Sequence, residues 1–205
     1  AIIALSAIEG SFSTGLVGAE GRTDQLVPHI RRSANIVLIM YSVYVVFGVV
    51  AFKVAGMGWF DAVNHAFAAL STGGFSTRTA SIGHWDSVAI ESVAIILMLL
   101  GMTNFVIAYA FIRGKFRAVL RSGEIRLMTV LIVVSVLLLV VFVTTALYHN
   151  AEDSLRVAIF SVVSATSTTG FSTTSFNDWP PFGGLILIVL MLIGGGTGST
   201  AGGMK

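Results

Sequence analysis

The sequence predicts an all-α integral membrane protein built from repeated units, each consisting of a helix, a re-entrant loop and a second helix. Hydrophobic residues make up 55% and charged residues 11% of the 205 positions, whereas soluble domains carry roughly 25% charged residues. Charge-free runs, each with about the length that crosses a bilayer as a helix, occupy residues 33–52, 92–112 and 127–148. A short polar segment, Ser71-Thr-Gly-Gly-Phe-Ser-Thr77, recurs 96 positions later as Ser167-Thr-Thr-Gly-Phe-Ser-Thr173. We therefore expect three spanning helices and a duplicated loop.

The lysines and arginines around the three predicted spans indicate which side of the membrane each loop occupies. Arg22, Arg31 and Arg32 precede the first span, and five further basic residues lie between positions 113 and 126. The opposite ends of the spans carry only Lys53, Arg78 and Arg156. Because cytoplasmic loops hold an excess of basic residues, both copies of the duplicated segment are predicted to open toward the outer side. These loops also account for a net charge of +2 without a nucleic acid as partner.

The order of segments within each repeat predicts a loop that enters the membrane and turns back. After a glycine-containing break, residues 59–70 predict a helix of ~18 Å, which reaches only halfway through a bilayer. The chain then turns through the duplicated segment and re-enters as a full helix from about Ser87. The second repeat has the same order, with a short helix that ends near Ala165. The carboxyl end of such a half-helix points its negative dipole at the loop and favours a cation there.

The duplicated segment has the composition of an ion-selectivity filter. Glycine adopts backbone conformations closed to other residues, so consecutive carbonyl oxygens can turn toward a pore axis and replace the water around a cation. A single Gly-Phe pair would indicate only a turn glycine with a buried phenylalanine. Two copies at equivalent positions favour a filter, with each Phe packed behind its Gly. The residues predicted to form the filter and bind the ion are Thr72, Gly73, Gly74, Phe75, Thr168, Thr169, Gly170 and Phe171.

A glycine-rich stretch after the second repeat predicts a helix break inside the membrane. The apolar run at 182–193 spans only ~18 Å as a helix, and six of the next ten residues are glycine. Irregular backbone at this depth lines a cavity or is buried in protein, so we expect a gate beneath the filter whose shortening raises flux without changing ion preference. The alternative is a small-residue surface for close helix packing. The predicted gate residues are Gly194, Gly195, Gly196, Thr197, Gly198, Ser199, Thr200, Ala201, Gly202 and Gly203.

Two transport functions remain open from the residues themselves. The first is conduction of K⁺, with or without Na⁺, through a carbonyl-lined filter. The second is a Na⁺-coupled secondary transporter whose discontinuous helices hold an anionic or zwitterionic solute. Inverted repeats of the second kind would place the two copies on opposite sides of the membrane, whereas the basic residues place both copies on one side. The charge pattern therefore favours conduction.

Other chemistry has little support in the sequence. The chain has no cysteine, no Ser/His/Asp set and no carboxylate pair, so an enzyme is not predicted. Metal binding other than K⁺ at the filter is also not predicted, because the four histidines lack ligand spacing; they are His29, His65, His84 and His149. Asn104 lies in an otherwise apolar run, where we expect its side chain to form an interhelical hydrogen bond.

Four motifs together resemble a known family. They are Gly56-Met-Gly-Trp-Phe-Asp-Ala62, the first copy of the duplicated segment, Ala80-Ser-Ile-Gly83 with Asp86-Ser87, and residues 194–205. From about residue 20 to residue 205, the sequence is similar to the membrane subunit of the Trk/Ktr/HKT potassium transporters, of the Trk type (TrkH-like). The resemblance implies potassium uptake across the cell inner (plasma) membrane by a multi-pass, pseudo-fourfold cation channel with four units around one pore. It also implies a homodimer and a cytosolic, nucleotide-binding regulatory subunit of the Trk/Ktr type, with no cofactor in this chain.

The same resemblance divides the chain and indicates that two of the four units are substantially present. Residues 1–32 would be the inner end of a preceding helix plus a cytoplasmic loop, and residues 33–112 a whole pore unit of helix, pore loop and helix. Residues 113–126 are expected to be a basic cytoplasmic loop. Residues 127–205 would form the next pore unit up to its glycine-rich intramembrane gate. Such a partial chain is not expected to close a pore by itself.

Overall fold

The structure, a computed structural model, describes residues 30–148, 150–176 and 179–204, and every regular element within these ranges is helical. In chain order the helices are α1 (Ile30–Val54), α2 (Trp59–Leu70), α3 (Val88–Met102), α4 (Phe105–Ile112), α5 (Phe116–Arg121), α6 (Gly123–Leu139), α7 (Ala151–Thr166) and α8 (Pro181–Ile193). A 3-10 turn, Ser81–His84, lies between α2 and α3. Helix α6 continues through a π-helical turn, Val140–Thr144, into a last turn, Thr145–Leu147. The segment predicted before residue 30, which includes His29, and His149 lie outside the described residues.

Two helices have the length and composition of membrane spans. Ala34–Val54 in α1 is 21 residues long, and Gly123–Thr144 in α6 with its π-helical turn is 22 residues long. At ~1.5 Å per residue, each reaches across a hydrocarbon core of ~30 Å. Large apolar side chains such as Ile39, Val46 and Val141 are exposed on these helices, as contact with lipid requires. The first and third predicted spans and the all-α membrane fold are confirmed.

The second predicted span is not one straight helix. The apolar run at 92–112 is divided into α3 and α4, whose axes are bent by 110° at the intervening break. The Asn104 side chain accepts a hydrogen bond from the backbone N–H of Val106 at 2.8 Å and so caps α4. The Asn104 oxygen thus pairs with the start of its own helix, and the expected interhelical hydrogen bond stays a prediction.

The connection between the two repeats also differs from the expected loop. Most of the stretch at 113–126 is helical, since it holds α5 and the first turn of α6. A turn at Gly114, with a φ of 72°, separates α4 from α5. Helix α6 begins at Gly123, a few residues before the predicted span at 127.

Helices α2 and α7, of 12 and 16 residues, occupy equivalent places in the two repeats, so the second helix is longer than the first. Helix α2 packs against α1 and α3, while α7 packs against α6, α8 and α3. One group of buried apolar side chains includes Phe52, Leu97 and Phe160. A second group includes Leu139 and Leu190. Because α7 contributes to both groups, it joins the two repeats and brings the loops that follow α2 and α7 together.

Candidate functional site

The two predicted filter segments, residues 71–77 and 167–173, begin with the same backbone turn. Three backbone hydrogen bonds close the end of α2, and three equivalent bonds close the end of α7. After α2 the donors and acceptors are Ser71 N–H to Phe67 O, Thr72 N–H to Ala69 O and Gly73 N–H to Ala68 O, at 2.9, 3.2 and 2.9 Å. After α7 they are Ser167 N–H to Val163 O, Thr168 N–H to Ala165 O and Thr169 N–H to Ser164 O, at 2.9, 3.0 and 3.0 Å. The repeat in sequence is therefore also a repeat in structure.

Two positions of each segment lie in the left-handed region of backbone conformation. Thr72 and Thr168 have φ values of 52° and 55°, and Gly74 and Gly170 have φ values of 66° and 85°. Glycine adopts this conformation readily. For a β-branched threonine it is an outlier that the surrounding contacts must hold in place. The two segments thus share an uncommon backbone at matching positions.

The two segments lie side by side and run in the same direction. A Cβ atom added to Gly74 would fall on the carbonyl of Thr169, so the two backbones touch near the aligned glycines. Beyond the segments, the N–H of Gly83 donates to the Ser172 carbonyl at 3.1 Å. The Ser81 hydroxyl accepts a hydrogen bond from the N–H of Ser172 at 3.3 Å. The 3-10 turn that follows the first segment therefore braces the far end of the second.

Several backbone carbonyls of the two segments have no donor among the described residues. Within the described ranges, the carbonyl oxygens of residues 72–74 and 168–170 accept no hydrogen bond. The next carbonyl, that of Phe171, does accept one, from the Ser164 hydroxyl at 2.7 Å. The lone pairs of these oxygens are therefore available to water or to a cation.

His65, which sequence analysis assigns no role, lies behind the first segment. Its side chain is fully buried in α2. Nδ1 lies 2.8 Å from the Asp61 carbonyl, which can only accept, so Nδ1 carries the proton. In the neutral ring, Nε2 then accepts from the Ser76 hydroxyl at 2.9 Å. The ring also contacts Trp85 and Phe171, with centroids 5.1 and 5.7 Å away, so His65 touches both segments.

A carboxylate holds the outer part of the first segment at the start of α2. Asp61 accepts hydrogen bonds from the Thr77 hydroxyl at 2.6 Å and from the Arg78 guanidinium at 3.1 Å. The Thr77 hydroxyl, with Arg78, lowers the pKa of Asp61 below its ordinary value. A lowered pKa in the folded state means that this stabilisation is present above the ordinary carboxyl pKa and is lost only as the pH falls through the lowered value. The anchor is therefore intact at neutral pH.

The two phenylalanines of the segments have different surroundings. Phe171 is 2% exposed and packs against His65, as expected for a ring behind the aligned glycine. Phe75 is 81% exposed, so the expected packing behind Gly74 is wrong within the described part of the chain. The difference arises because α2 and the turn at 81–84 provide a wall beside Phe171, and no described element provides one beside Phe75.

The glycine-rich stretch forms a folded loop at the end of α8. Helix α8 stops at Ile193, and Gly194 has a φ of 71°, which confirms the predicted helix break. The N–H of Gly195 donates to the Gly202 carbonyl at 3.2 Å, which closes the loop on itself. Inside it, the Ser199 hydroxyl donates to the Gly196 carbonyl at 2.6 Å. We refer to residues 194–203 as the gate loop.

The gate loop packs into the break between α3 and α4 and against the ends of the half-helices. The N–H of Gly196 donates to the Met102 carbonyl at 3.0 Å, and the N–H of Phe105 donates to the Gly198 carbonyl at 3.5 Å. The Thr200 hydroxyl lies 2.8 Å from the carbonyls of both Leu70 and Gly101. The loop is therefore bonded to both sides of the break between α3 and α4 and to the end of α2.

Comparison with known proteins gives the family of this chain. The sequence profile of the family described as TrkH, cation transport protein, matches residues 9–205. The chain belongs to the TrkH family. Two TrkH-family relatives are the Trk system potassium uptake proteins TrkH of Vibrio parahaemolyticus and of Escherichia coli K12. The first is 35% identical over 185 residues, covering 88% of this chain, and the second is 34% identical over 189 residues, covering 90%.

The fold of the TrkH family is also found at the level of structure. The crystal structure of the potassium transporter TrkH from Vibrio parahaemolyticus matches 100% of this chain and 43% of that chain, with a TM-score of 0.85 and 33% identity. The aligned part covers 38% of the length of each of the two TrkH relatives. The chain thus spans well under half of the TrkH-family proteins that it matches.

Proposed function

We propose that the native protein takes up K⁺ across the cell inner membrane through a filter to which both segments contribute. The observation that carries this proposal is the pair of matching backbones at 71–77 and 167–173, which lie side by side and run in one direction. Their equivalent carbonyls have no donor in the part of the chain that the structure describes. Carbonyl oxygens arranged in this way can replace the hydration shell of a cation. The ion-binding residues would be those predicted from sequence: Thr72, Gly73, Gly74, Phe75, Thr168, Thr169, Gly170 and Phe171.

The half-helices supply a second reason for a cation. Helices α2 and α7 end at Leu70 and Thr166, immediately before the two segments. The carboxyl end of a helix carries roughly half a negative charge. Both helices therefore direct a negative end toward the same small space, and an anionic substrate would be repelled from it.

The gate loop would control passage below the filter. Irregular backbone at membrane depth is accepted where it lines a cavity or is buried in protein. Ser199 and Ala201 are buried, while Thr197 and Gly202 are exposed on the same loop. The loop therefore has one face packed on protein and another face open, as a movable obstruction in a pathway requires.

The assembly around this chain is part of the proposal. TrkH relatives are named as potassium uptake proteins of a Trk system, which supports a membrane subunit that acts with further components. We propose a homodimer that binds a cytosolic, nucleotide-binding regulatory subunit, with four pseudo-equivalent units around each pore. This chain would supply two of those units.

A Na⁺-coupled secondary transporter with inverted repeats remains the alternative. In such a transporter the two discontinuous segments would run in opposite directions across the membrane. The parallel course of residues 71–77 and 167–173 and the shared contact of both with the gate loop favour conduction instead.

A test uses the native protein in cells that lack other K⁺ uptake and in liposomes loaded with a Rb⁺ tracer. Gly170 has a φ of 85° with open space around it, so Gly170→Ser would strain the backbone without a clash. A left-handed residue with a side chain costs roughly 1–2 kcal/mol, and we expect a clear loss of K⁺ flux or K⁺/Na⁺ preference in a protein that still folds. Gly74→Ser should do more harm, because its Cβ would meet the Thr169 carbonyl.

The matched control is Gly114→Ser, which places a serine at a φ of 72° in equally open space but far from the segments. It should keep wild-type flux and preference. Absence of K⁺-dependent growth and Rb⁺ uptake in the wild-type protein would remove the proposed function. Unchanged flux and preference in both Gly170→Ser and Gly74→Ser, at normal expression, would remove the filter assignment.

A further inference from the structure

The gate loop is hydrogen-bonded directly to both filter segments. The Thr72 hydroxyl donates to the Thr200 carbonyl at 2.8 Å. The Thr168 hydroxyl accepts a hydrogen bond from the N–H of Gly202 at 2.7 Å. Thr72 and Thr168 occupy equivalent positions of the repeat, at the base of each segment, and they reach the same loop from two sides. A loop that only packed beneath the filter would not need a bond to the same residue of each copy.

The contact at Thr72 has a second acceptor within reach. Its single hydroxyl proton lies between the Thr200 carbonyl and the Ser71 carbonyl, which is 2.7 Å away. A hydroxyl donates to one acceptor at a time. If the gate loop moved away, the Thr72 hydroxyl could therefore turn to Ser71 and remain satisfied. The bond to the loop can be released without leaving an unpaired buried donor.

The gate loop is also hydrogen-bonded next to the start of the first filter segment. The Thr200 hydroxyl lies between the last carbonyl of α2, Leu70, and the Gly101 carbonyl of α3. A Cβ on Gly101 would come within 2.9 Å of the Leu70 carbonyl and 3.3 Å of the Thr200 hydroxyl, so glycine is required for this close approach. Movement of Thr200 would therefore pull on the end of the half-helix that leads into the first segment.

The backbone of the two threonines depends on such contacts. Both have positive φ values, 52° and 55°, in a region that β-branched residues adopt only where the surroundings hold them. The side-chain bonds to the gate loop are part of that restraint. When the loop leaves, the restraint weakens, and the adjoining carbonyls at 72 and 168 are the ones expected to turn.

We propose that Thr72 and Thr168 are positioning residues that couple the gate loop to both filter segments, so that ion preference depends on where the loop lies. This proposal rests on the proposed function of the two segments and the loop. It departs from the sequence-based expectation that shortening the loop changes flux and leaves ion preference unaltered. Filter and gate would instead form one unit, in which displacement of the loop loosens the base of each segment.

The test compares Thr72→Val and Thr168→Val, which keep the β-branched shape and lose the hydroxyl, with Thr72→Ser and Thr168→Ser, which keep the hydroxyl. K⁺ and Na⁺ fluxes are measured for the native protein in liposomes, with the loop intact and with residues 197–202 deleted, which removes the loop partners of both threonines. The valine variants should change K⁺/Na⁺ preference by about fivefold per position, the ratio that corresponds to one hydrogen bond of typical strength. At each position the serine variant, which keeps the hydroxyl, should change the preference less than the valine variant.

The protein with the shortened loop shows whether the threonines affect ion preference through the loop or through the filter segment alone. If the threonines act through the loop, the valine variants should have no additional effect on ion preference once the loop is shortened. The shortened loop already lacks the partner, so the interaction energy between threonine and loop is lost before the substitution is made. An equal effect of valine in both backgrounds would overturn the proposal and assign the hydroxyls to the filter alone. Such a result would leave the proposed function standing.

A second measurement does not depend on transport. The chain has no cysteine, and Ala201 is a 3% exposed residue of the gate loop. A cysteine placed there by Ala201→Cys should react slowly with a small thiol reagent, and about fivefold faster with each valine variant. Equal labelling rates in folded wild-type, valine and serine backgrounds would overturn the coupling. If the protein carries no K⁺ but the valine variants still label faster, the proposed function is contradicted. The contact between the threonines and the gate loop is then still supported.

Discussion

At the scale of single residues, His65 shows how one side chain can set the shape of both segments. Its two ring nitrogens are both used, one with the Asp61 carbonyl and one with the Ser76 hydroxyl. Its faces and edges contact Trp85 and Phe171. Because the ring is fully buried, both nitrogens depend on these two protein partners and not on water.

We predict that His65→Phe lowers both thermal stability and K⁺/Na⁺ preference. The phenyl ring keeps the packing on Trp85 and Phe171 but loses the bonds of the imidazole to the Ser76 hydroxyl and the Asp61 carbonyl, at about 1 kcal/mol for each hydrogen bond. His65→Gln should preserve more preference than His65→Phe, since its amide can still reach Ser76. The measurements are the melting temperature in detergent and the ratio of K⁺ to Na⁺ flux in liposomes.

His84 provides the matched control for this prediction. It contacts the same Trp85 ring, with centroids 5.0 Å apart, but its side chain is exposed. His84→Phe should therefore leave both measurements close to wild type. If His65→Phe were as harmless as His84→Phe, the imidazole bonds would have no role in shaping the filter.

The residues of the two segments could be predicted from sequence, and His65 could not. Gly74 and Gly170 stand out because the whole segment around them is repeated. His65 has no counterpart in the second copy, where Ser161 occupies the aligned position. Its partner Ser76 is 11 residues away, and the pairing exists only because the chain turns back along α2. The sequence pattern of one helix carries no signal for such a contact.

At the scale of elements, a buried ion pair joins the two repeats. Arg156 in α7 donates two hydrogen bonds to Glu91 in α3, from Nε at 2.7 Å and from Nη2 at 2.8 Å. The Glu91 side chain is 5% exposed and that of Arg156 is 21% exposed. Arg156 also reaches Asp86 at 3.0 Å, whose side chain is 88% exposed. Such forked pairs fix orientation as well as distance, so the pair sets how α7 lies against α3.

We predict that Glu91→Gln destabilises the protein by about 3 kcal/mol, since removal of one member leaves the other charge uncompensated. Replacing both members with apolar residues, as Glu91→Leu with Arg156→Met, should restore much of that loss. Asp86→Asn is the control and should cost less than about 1 kcal/mol because the carboxylate is largely in solvent. The free energy of unfolding of all three variants is measured by denaturation in detergent. Equal losses for Glu91→Gln and Asp86→Asn would show that the buried pair does not hold the repeats together.

Sequence analysis located correctly the helices whose ends are marked by nearby residues that disfavour helix, such as glycine. Helix α2 has the predicted bounds, Trp59–Leu70, because glycines precede it and follow it. The bend between α3 and α4 was not predicted because the run at 92–112 carries no charge and has the length of a span. Gly101 and the helix cap Asn104 lie at the break, but small and polar residues also occur within continuous membrane helices. The gate loop, which bonds both sides of the break, lies about 90 positions later, and a local pattern carries no signal for such a contact.

At the scale of the whole molecule, the two repeats give the chain a single polarity across the membrane. The outer parts of both repeats meet at the turn at 81–84, which bonds Ser172. On the opposite side, the gate loop bonds Thr72 and Thr168. The start of α6 lies on that second side, because the Glu124 carboxylate touches Gly196 of the gate loop. The basic residues between 113 and 126 are thus on the gate side.

The last prediction follows from this polarity together with the rule that basic loops stay in the cytoplasm. Thr79 follows the first segment and Glu152 begins α7, and both are exposed. In the native protein without other cysteines, Thr79→Cys and Glu152→Cys should react with an impermeant thiol reagent added to intact cells. Gly123→Cys, equally exposed at the start of α6, should react only in inside-out vesicles. The reverse pattern at all three sites would invert the topology, and opposite sides for Thr79 and Glu152 would mean that the repeats are inverted and would favour the secondary transporter over the filter.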